Sequence, residues 1–385
     1  MSDVHQPAAP VPAPAPDPAS GSVESPTRPS LWRRVLGVVG VDNLSLVIAL
    51  LAVTAIVTWL SPRNAQGDIL FLSWQNLMNS LAQAIVIVGL LAIGETVVIV
   101  AGALDISVGS IASVASVASA MAIGGFIAFV PSGSMQVAIV VGIIAGGLLG
   151  VVNGFIVTVL KVNPIIATLG TLAAFAGLAF LIAPDGKPVG VITEPDFTWL
   201  GTGRLFADAP VPPLGGTAWT GVPVVFVVLL IVAAIFHVIM RYTDYGRSIY
   251  AIGGNAIAAR LAGINLRRVR IAMYVLSGAV AGLAGVVLTA RTTSGNPING
   301  QGLELQAITA VFLGGAATTG GKGTIVGTFL AVVLVGVLNN GMNLLGVNTF
   351  YQRVALGVLL VGAVAIAQWR QSRAERVRTR IAATS

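Results

Sequence analysis

The chain has 385 residues, 56% of them hydrophobic and 9% charged, with a net charge of +7 and a mean hydropathy of +0.92. A soluble domain carries about 25% charged residues, so this sequence cannot cover a water-facing surface and reads as an integral membrane protein. Cysteine is absent and histidine occurs twice, as His5 in a Pro/Ala-rich tail and His237 in an apolar run, which excludes thiol chemistry and gives no basis for a metal or catalytic cluster.

Residues 1–32 come first, with eight prolines among the first 30 and no apolar periodicity. Such a segment buries too little to offset chain entropy and reads as a disordered tail. No apolar region follows a basic start there, so it is not expected to be a cleavable signal peptide. The membrane domain is expected over 33–370, and a basic tail follows over 371–385.

Within that domain ten apolar segments approach the roughly 20 residues that cross a hydrocarbon core. In chain order they are about 43–60, 79–101, 104–128, 137–160, 164–183, 222–240, 270–290, 304–318, 324–345 and 351–369. The third and eighth are broken by Gly, Ser and Thr and could be half-helices. The expected fold is an all-α polytopic membrane protein of about ten helices.

Basic residues in short loops set orientation. The 241–270 connection carries Arg241, Arg247, Arg260, Arg267, Arg268 and Arg270 against Asp244. Lys161, Lys322 and the arginines of the C-terminal tail fall on the same side. Ten spans with both termini inside make that side cytoplasmic and put the 184–221 loop outside, where Asp185, Glu194, Asp196 and Asp208 outnumber Lys187 and Arg204. Trp59, Trp74 and Trp219 fall at outer span ends, and Trp32 and Trp369 at inner ones, as an aromatic belt would. The +7 is thus topology, and nucleic-acid binding has little left to explain.

An internal repeat joins "LGVVNGFIVTVLKVNPIIATLG" (149–170) to "VGVLNNGMNLLGVNTFYQRVALG" (335–357). Asn153 then lies near an inner face and Asn340 near an outer one. Two five-span halves of opposite orientation would produce that inversion.

Three carboxylates are embedded in apolar sequence: Glu95, Asp105 and Glu304. A charge at mid-membrane costs about 2.5–3.5 kcal/mol on insertion scales, so each should face the protein interior or a wet cavity. Asp105 sits in "GALDISVGS" (102–110), whose glycines and serines suit a helix that breaks and restarts, with Asp105 or Ser107 capping the restart. Asp105 either borders the cargo path or only holds the break, and both need the same backbone. A polar path could run through Asp105, Ser107, Glu95, Asn153, Glu304 and Asn340. Glu304, after "NPINGQG", also reads as a helix cap, and Arg291 as a structural partner for a buried carboxylate.

"GGAATTGGKGT" (314–324) is no phosphate loop: that pattern needs Gly, four residues, then Gly-Lys-Ser/Thr, and here Ala316 and Gly323 break it. It reads as an inner turn. Glycines four apart (Gly142, Gly146 and Gly150; Gly278 and Gly282; Gly323 and Gly327) form smooth faces for close helix packing. Ala256 to Leu261 reads as a short basic amphipathic helix ended by Gly263, suited to docking on a cytoplasmic partner.

Taken together, "GALDISVGS", "NPIIATLGT" (163–171), "YGRSIYAIGGNAIAARLAGIN" (245–265), "GGKGTIVGT" (320–328) and "LNNGMNLLGV" (338–347) resemble the permease subunit of ribose/xylose/galactose-type ABC sugar importers. They occur in the family's order across residues 40–370. The resemblance implies a permease acting as a pair of copies in the bacterial inner membrane, surrounded by lipid, with a cytoplasmic ABC ATPase and a periplasmic sugar-binding protein. It implies that Gly246, Asn255, Ala259, Arg260 and Gly263 contact the ATPase, which binds the ATP, so that the permease itself needs no cofactor and is not an enzyme. Which solute moves does not carry over; nucleosides, inositol and branched-chain amino acids fit the wider superfamily. A proton- or sodium-coupled transporter working through the embedded carboxylates is the rival reading.

Overall fold

The computed structural model describes residues 43–127, 131–190, 192–362, 364–365 and 368. The tail 1–32, Trp32, Trp369 and the segment 371–385 lie outside these residues. Among the described residues, six helices are long and apolar enough to cross a membrane, and four shorter apolar helices accompany them. We number the helices in chain order.

The first helix, α1 (Leu44–Leu60), leads to α2 (Ala82–Val100), which is entered through a π-helical stretch, Gln75–Leu81. After a break at 101–107 comes α3 (Val108–Ile123), then α4 (Met135–Thr158) and α5 (Pro164–Ile182). A short α6 (Pro195–Thr202) precedes α7 (Val224–Tyr242). Two short helices follow, α8 (Asp244–Gly254) and α9 (Ala256–Leu261). The long α10 (Leu266–Thr292), the half-length α11 (Leu303–Leu313), α12 (Ile325–Leu344) and α13 (Thr349–Gly362) complete the set.

Almost every residue of α2 and α3 is buried, including polar ones. Helices α4, α5 and α7 instead expose wide apolar faces, among them Ile144, Leu148, Ile166, Leu181, Ile231 and Ile235. A helix that is apolar all round and exposed on one side is at home only in lipid. The fold is therefore a polar-tolerant core of α2, α3 and much of α10, jacketed by lipid-facing helices.

Helix α4 packs closely on α10. A Cβ at Gly146 would overlap the Gly278 carbonyl, one at Gly278 the Gly146 carbonyl, and one at Gly282 the Gly142 carbonyl. Small residues let the two backbones touch, which is how helices gain contact in lipid, where no hydrophobic drive exists between them. The third glycine pair read from the sequence is different. Gly323 lies in the turn before α12, whose cap is Thr324, so Gly323 and Gly327 do not share a helix face.

The all-α class expected from the sequence is what the structure has, with one two-residue strand pair beside the helices, Arg204–Leu205 antiparallel to Val222–Pro223. Details of the elements differ. The 184–221 segment is no simple loop, since it carries α6. The 241–270 connection holds α8, α9 and the start of α10. The third span, read as 104–128, is helical only over Val108–Ile123, and the eighth, read as 304–318, only over Leu303–Leu313. Trp74 and Trp219 meet edge to face at 4.9 Å, and their indole N–H groups donate to the Pro212 and Phe206 carbonyls. They fasten the 206–219 segment to the start of α2, whereas Trp59 is exposed.

Candidate functional site

Two of the four shorter apolar helices, α3 and α11, follow breaks in the chain. At about 1.5 Å per residue, α11 spans about 16 Å, half of a hydrocarbon core of about 30 Å. It follows α10 through an irregular stretch, 293–302. Likewise, α3 follows α2 through the break at 101–107.

The break after α2 begins where Gly102 adopts φ +81, a left-handed conformation that glycine takes without strain. The chain then turns back alongside α2, and the Asp105 N–H donates to Glu95 Oε1 at 2.9 Å. Asp105 Oδ1 accepts from the Ser107 N–H at 3.0 Å and from the Ser107 hydroxyl at 2.6 Å. From α4, Asn153 Nδ2 reaches both Asp105 oxygens at 3.2 Å and Ser107 Oγ at 2.7 Å. Asp105 thus holds the first turn of the restarted helix, while Ser107 serves Asp105 and makes no cap bond of its own. Glu95, Asp105, Ser107 and Asn153 are all fully buried. They face one another.

The second break descends along α3. The Gly300 N–H donates to Ser113 Oγ at 2.9 Å and Asn299 Nδ2 to Ser116 Oγ at 3.1 Å. Ser116 in turn meets Thr289 of α10 at 2.7 Å. At the start of α11 the N-cap is Gly302, and Glu304, in the first turn, reaches back so that its Oε1 accepts from the Gly302 N–H at 3.2 Å. Its side chain passes so close to Gly109 that a Cβ there would overlap it. The first turns of the two half-helices therefore meet, and Glu304 stands beside α3 without joining the Asp105 cluster. Arg291 bonds the Gln83 carbonyl at 2.8 Å and, among the described residues, pairs with no carboxylate.

Asn340 sits at the other end of α2. It exchanges reciprocal amide hydrogen bonds with Asn76 at 2.9 and 2.8 Å, both side chains being buried. Asn76 belongs to the π-helical stretch, a geometry that is rare and concentrated at functional sites. Asn340 also lines a cavity of about 100 Å³ between α2, α11 and α12. Its polar lining is Ser80, Gln306, Asn339, Asn340 and Asn343, with no charged side chain. The Asn339 side-chain oxygen is buried there without a protein partner.

The sequence reading missed most of this lining and the serine ladder of α3. The ladder had a signal, serine at every third position from Ser107 to Ser119. The cavity had less: Ser80 and Gln306 are single polar residues in apolar runs.

Helix α8 is capped by Thr243, which accepts from the Gly246 N–H at 3.2 Å. Asn255 caps α9, accepting from the Ile257 and Ala258 N–H groups at 3.0 Å. Gly263, at φ +86, ends α9. Ala259 is buried, whereas Arg260, Ile257 and Leu261 are exposed. A Cβ at Gly246 would overlap backbone at the end of α7, and one at Gly253 the Val100 carbonyl. The Tyr250 hydroxyl donates to the Gly323 carbonyl at 2.7 Å, and the Gly321 N–H to the Val100 carbonyl at 2.8 Å. Burial pushes the Tyr245 and Tyr250 phenols above their ordinary range, so both act as neutral hydroxyls. The pair α8–α9 is thereby clamped to the end of α2, two residues from the break at Gly102.

Residues 76–364 match the family model described as branched-chain amino acid transport system / permease component. The ribose import permease protein RbsC of Bacillus subtilis is 39% identical over 295 residues, 76% of this chain and 85% of that protein. RbsC of Escherichia coli K12 is 37% identical over 328 residues, 84% and 93% of the two chains. The L-arabinose transport system permease protein AraH of the same strain is 35% identical over 294 residues, 76% and 83%. No solved structure gives a significant match.

Proposed function

The chain belongs to the branched-chain amino acid transport system / permease component family, and from that premise we propose that it is the membrane-spanning subunit of an ATP-driven importer for a neutral monosaccharide. It is a multi-pass membrane transport protein. Its named relatives serve ribose and L-arabinose, and a pentose of that kind is the cargo proposed here.

The observation that carries the reading is the uncharged amide and hydroxyl lining of the cavity at Asn340. A sugar needs donors and acceptors for its hydroxyls and no counter-ion. A zwitterionic amino acid would need opposed charges along its path, and the cavity offers none. Helices that break inside the membrane, with irregular backbone lining an interior, are where transporters place their cargo path.

In this reading the basic face is cytoplasmic and the chain lies in the inner membrane with both termini inside. A periplasmic binding protein delivers the sugar to the opposite face, around 61–78 and 184–221. A second permease copy completes the path. A separate ATPase binds ATP and docks on α8–α9 through the segment containing Gly246, Asn255, Ala259, Arg260 and Gly263. Its movement is passed to Val100 and the adjacent break, and the bundle alternates between outward- and inward-open states.

The cavity can be tested by Asn339→Leu. One lost hydrogen bond to a sugar hydroxyl is worth about 0.5–1.5 kcal/mol, so the half-saturating sugar concentration for uptake should rise about 2- to 12-fold. Uptake into proteoliposomes containing all three components measures it, and an unchanged value would remove the cavity from the cargo path.

A further inference from the structure

We propose that the break between α2 and α3 holds one bound proton, carried by Glu95, so that the Glu95–Asp105 pair bears a single negative charge. Burial and an unequal sharing of hydrogen-bond donors carry this inference, whatever the permease transports.

Both carboxyls are fully buried, and the Asp105 backbone links them by donating to Glu95 Oε1. The protein's donors are divided unequally. Asp105 collects the Ser107 N–H, the Ser107 hydroxyl and the Asn153 amide, the environment of an anion. Glu95 receives one N–H on Oε1, and its Oε2 has no partner. Among the described residues, no lysine, arginine or histidine forms an ion pair with either group; the one pair is Asp244–Arg247, at the membrane surface.

Three further buried atoms in this region have no hydrogen-bond partner: Asn153 Oδ1, the Tyr274 hydroxyl and Ser277 Oγ. Asn153 points into the group, because its amide nitrogen is bonded to Asp105. Ser277 packs on Gly94, the neighbour of Glu95, and Tyr274 lies one turn before Ser277 on α10. Asn153 Oδ1 can only accept, and the two hydroxyls can donate or accept. None of the three bonds Glu95 Oε2, so an ionised Glu95 would leave a charged oxygen bare. A protonated Glu95 carries no such charge.

Electrostatics points the same way. Holding a proton on glutamate at neutral pH works against about three decades of proton activity. Two adjacent buried anions, neither paired with a cation among the described residues, are the costlier arrangement. The proton is thus the counter-charge that lets a two-carboxyl hinge lie inside the membrane.

The test uses the full chain in lipid vesicles, with its glutamates labelled with carbon-13 at the side-chain carboxyl. Infrared spectra at neutral pH should contain the carbonyl band of a protonated glutamic acid. The band should persist in Glu304→Gln, which removes the other embedded glutamate, and vanish in Glu95→Gln. The melting midpoint of Glu95→Gln, a neutral isostere, should match the unaltered protein, whereas Asp105→Asn should lower it. Absence of the acid band in Glu304→Gln would overturn the proposal, even if Glu95→Gln failed to fold. A midpoint that rises with sodium in the unaltered protein and not in Glu95→Gln would equally overturn it, since a bound cation would then be the counter-charge.

Discussion

Gly278→Leu should yield almost no folded protein. A Cβ at Gly278 would overlap the Gly146 carbonyl and press on the Gly150 backbone. Ordinary overpacking costs about 1–3 kcal/mol because side chains can shift. Here the obstacle is main chain on both helices, so relief requires α4 and α10 to part along the seam that includes Gly142, Gly146 and Gly282. Asn153 and Tyr274 stand on opposite sides of that seam, so parting it also pulls the Asp105 cluster open. Gly177→Leu is the control, since a Cβ at Gly177 meets nothing within 4 Å. Size-exclusion profiles of detergent-extracted protein should show monodisperse Gly177→Leu at about the unaltered yield and Gly278→Leu aggregated or degraded. Comparable profiles would mean that the seam is not what holds the bundle together.

The second large effect is expected at α9. Ile257 and Leu261 are 76% and 84% exposed and lie four residues apart, so they form one apolar ridge on a six-residue helix. Arg260 flanks it, and Asn255 and the buried Ala259 fix it to the protein. In the function proposed above, this exposed ridge fills a groove on the ATPase. Anchors of this kind cost about 2–4 kcal/mol when removed, so Leu261→Asp should weaken ATPase binding about 30-fold or more. Ile257→Asp with Leu261→Asp should abolish co-purification. Both side chains are free of internal packing, so the permease should fold and insert normally. Retained co-purification and uptake in the double variant would refute docking through α9.

Much of the fold was legible because lipid imposes a simple rule on sequence. A run of about 20 apolar residues has few alternatives, and the observed helices follow the expected spans to within a few residues at most ends. The two half-helices were visible as runs interrupted by Gly, Ser and Thr. What could not be read was pairing. Glu95, Asp105, Ser107 and Asn153 were each candidates, yet nothing local says that Asn153 reaches back 48 residues to Asp105, or that Asn340 reaches 264 residues to Asn76. Helix α8 was missed for a different reason. Its "YGRSIYAIGG" contains three glycines, each costing a helix interior about 1 kcal/mol. Tertiary contact overrides that cost, because Gly246 and Gly253 are where α8 touches the ends of α7 and α2. The descent of 293–302 along α3 depends on the same logic: its backbone finds partners in a ladder of serines that, read alone, looks like small-residue packing.

The most direct test of the whole account is uptake by proteoliposomes containing the permease, its ATPase and its sugar-binding protein. The account predicts accumulation of labelled ribose or L-arabinose that requires ATP and is unaffected by excess leucine. Accumulation of leucine in place of sugar would contradict it, as would sugar uptake driven by a proton or sodium gradient with no ATP present.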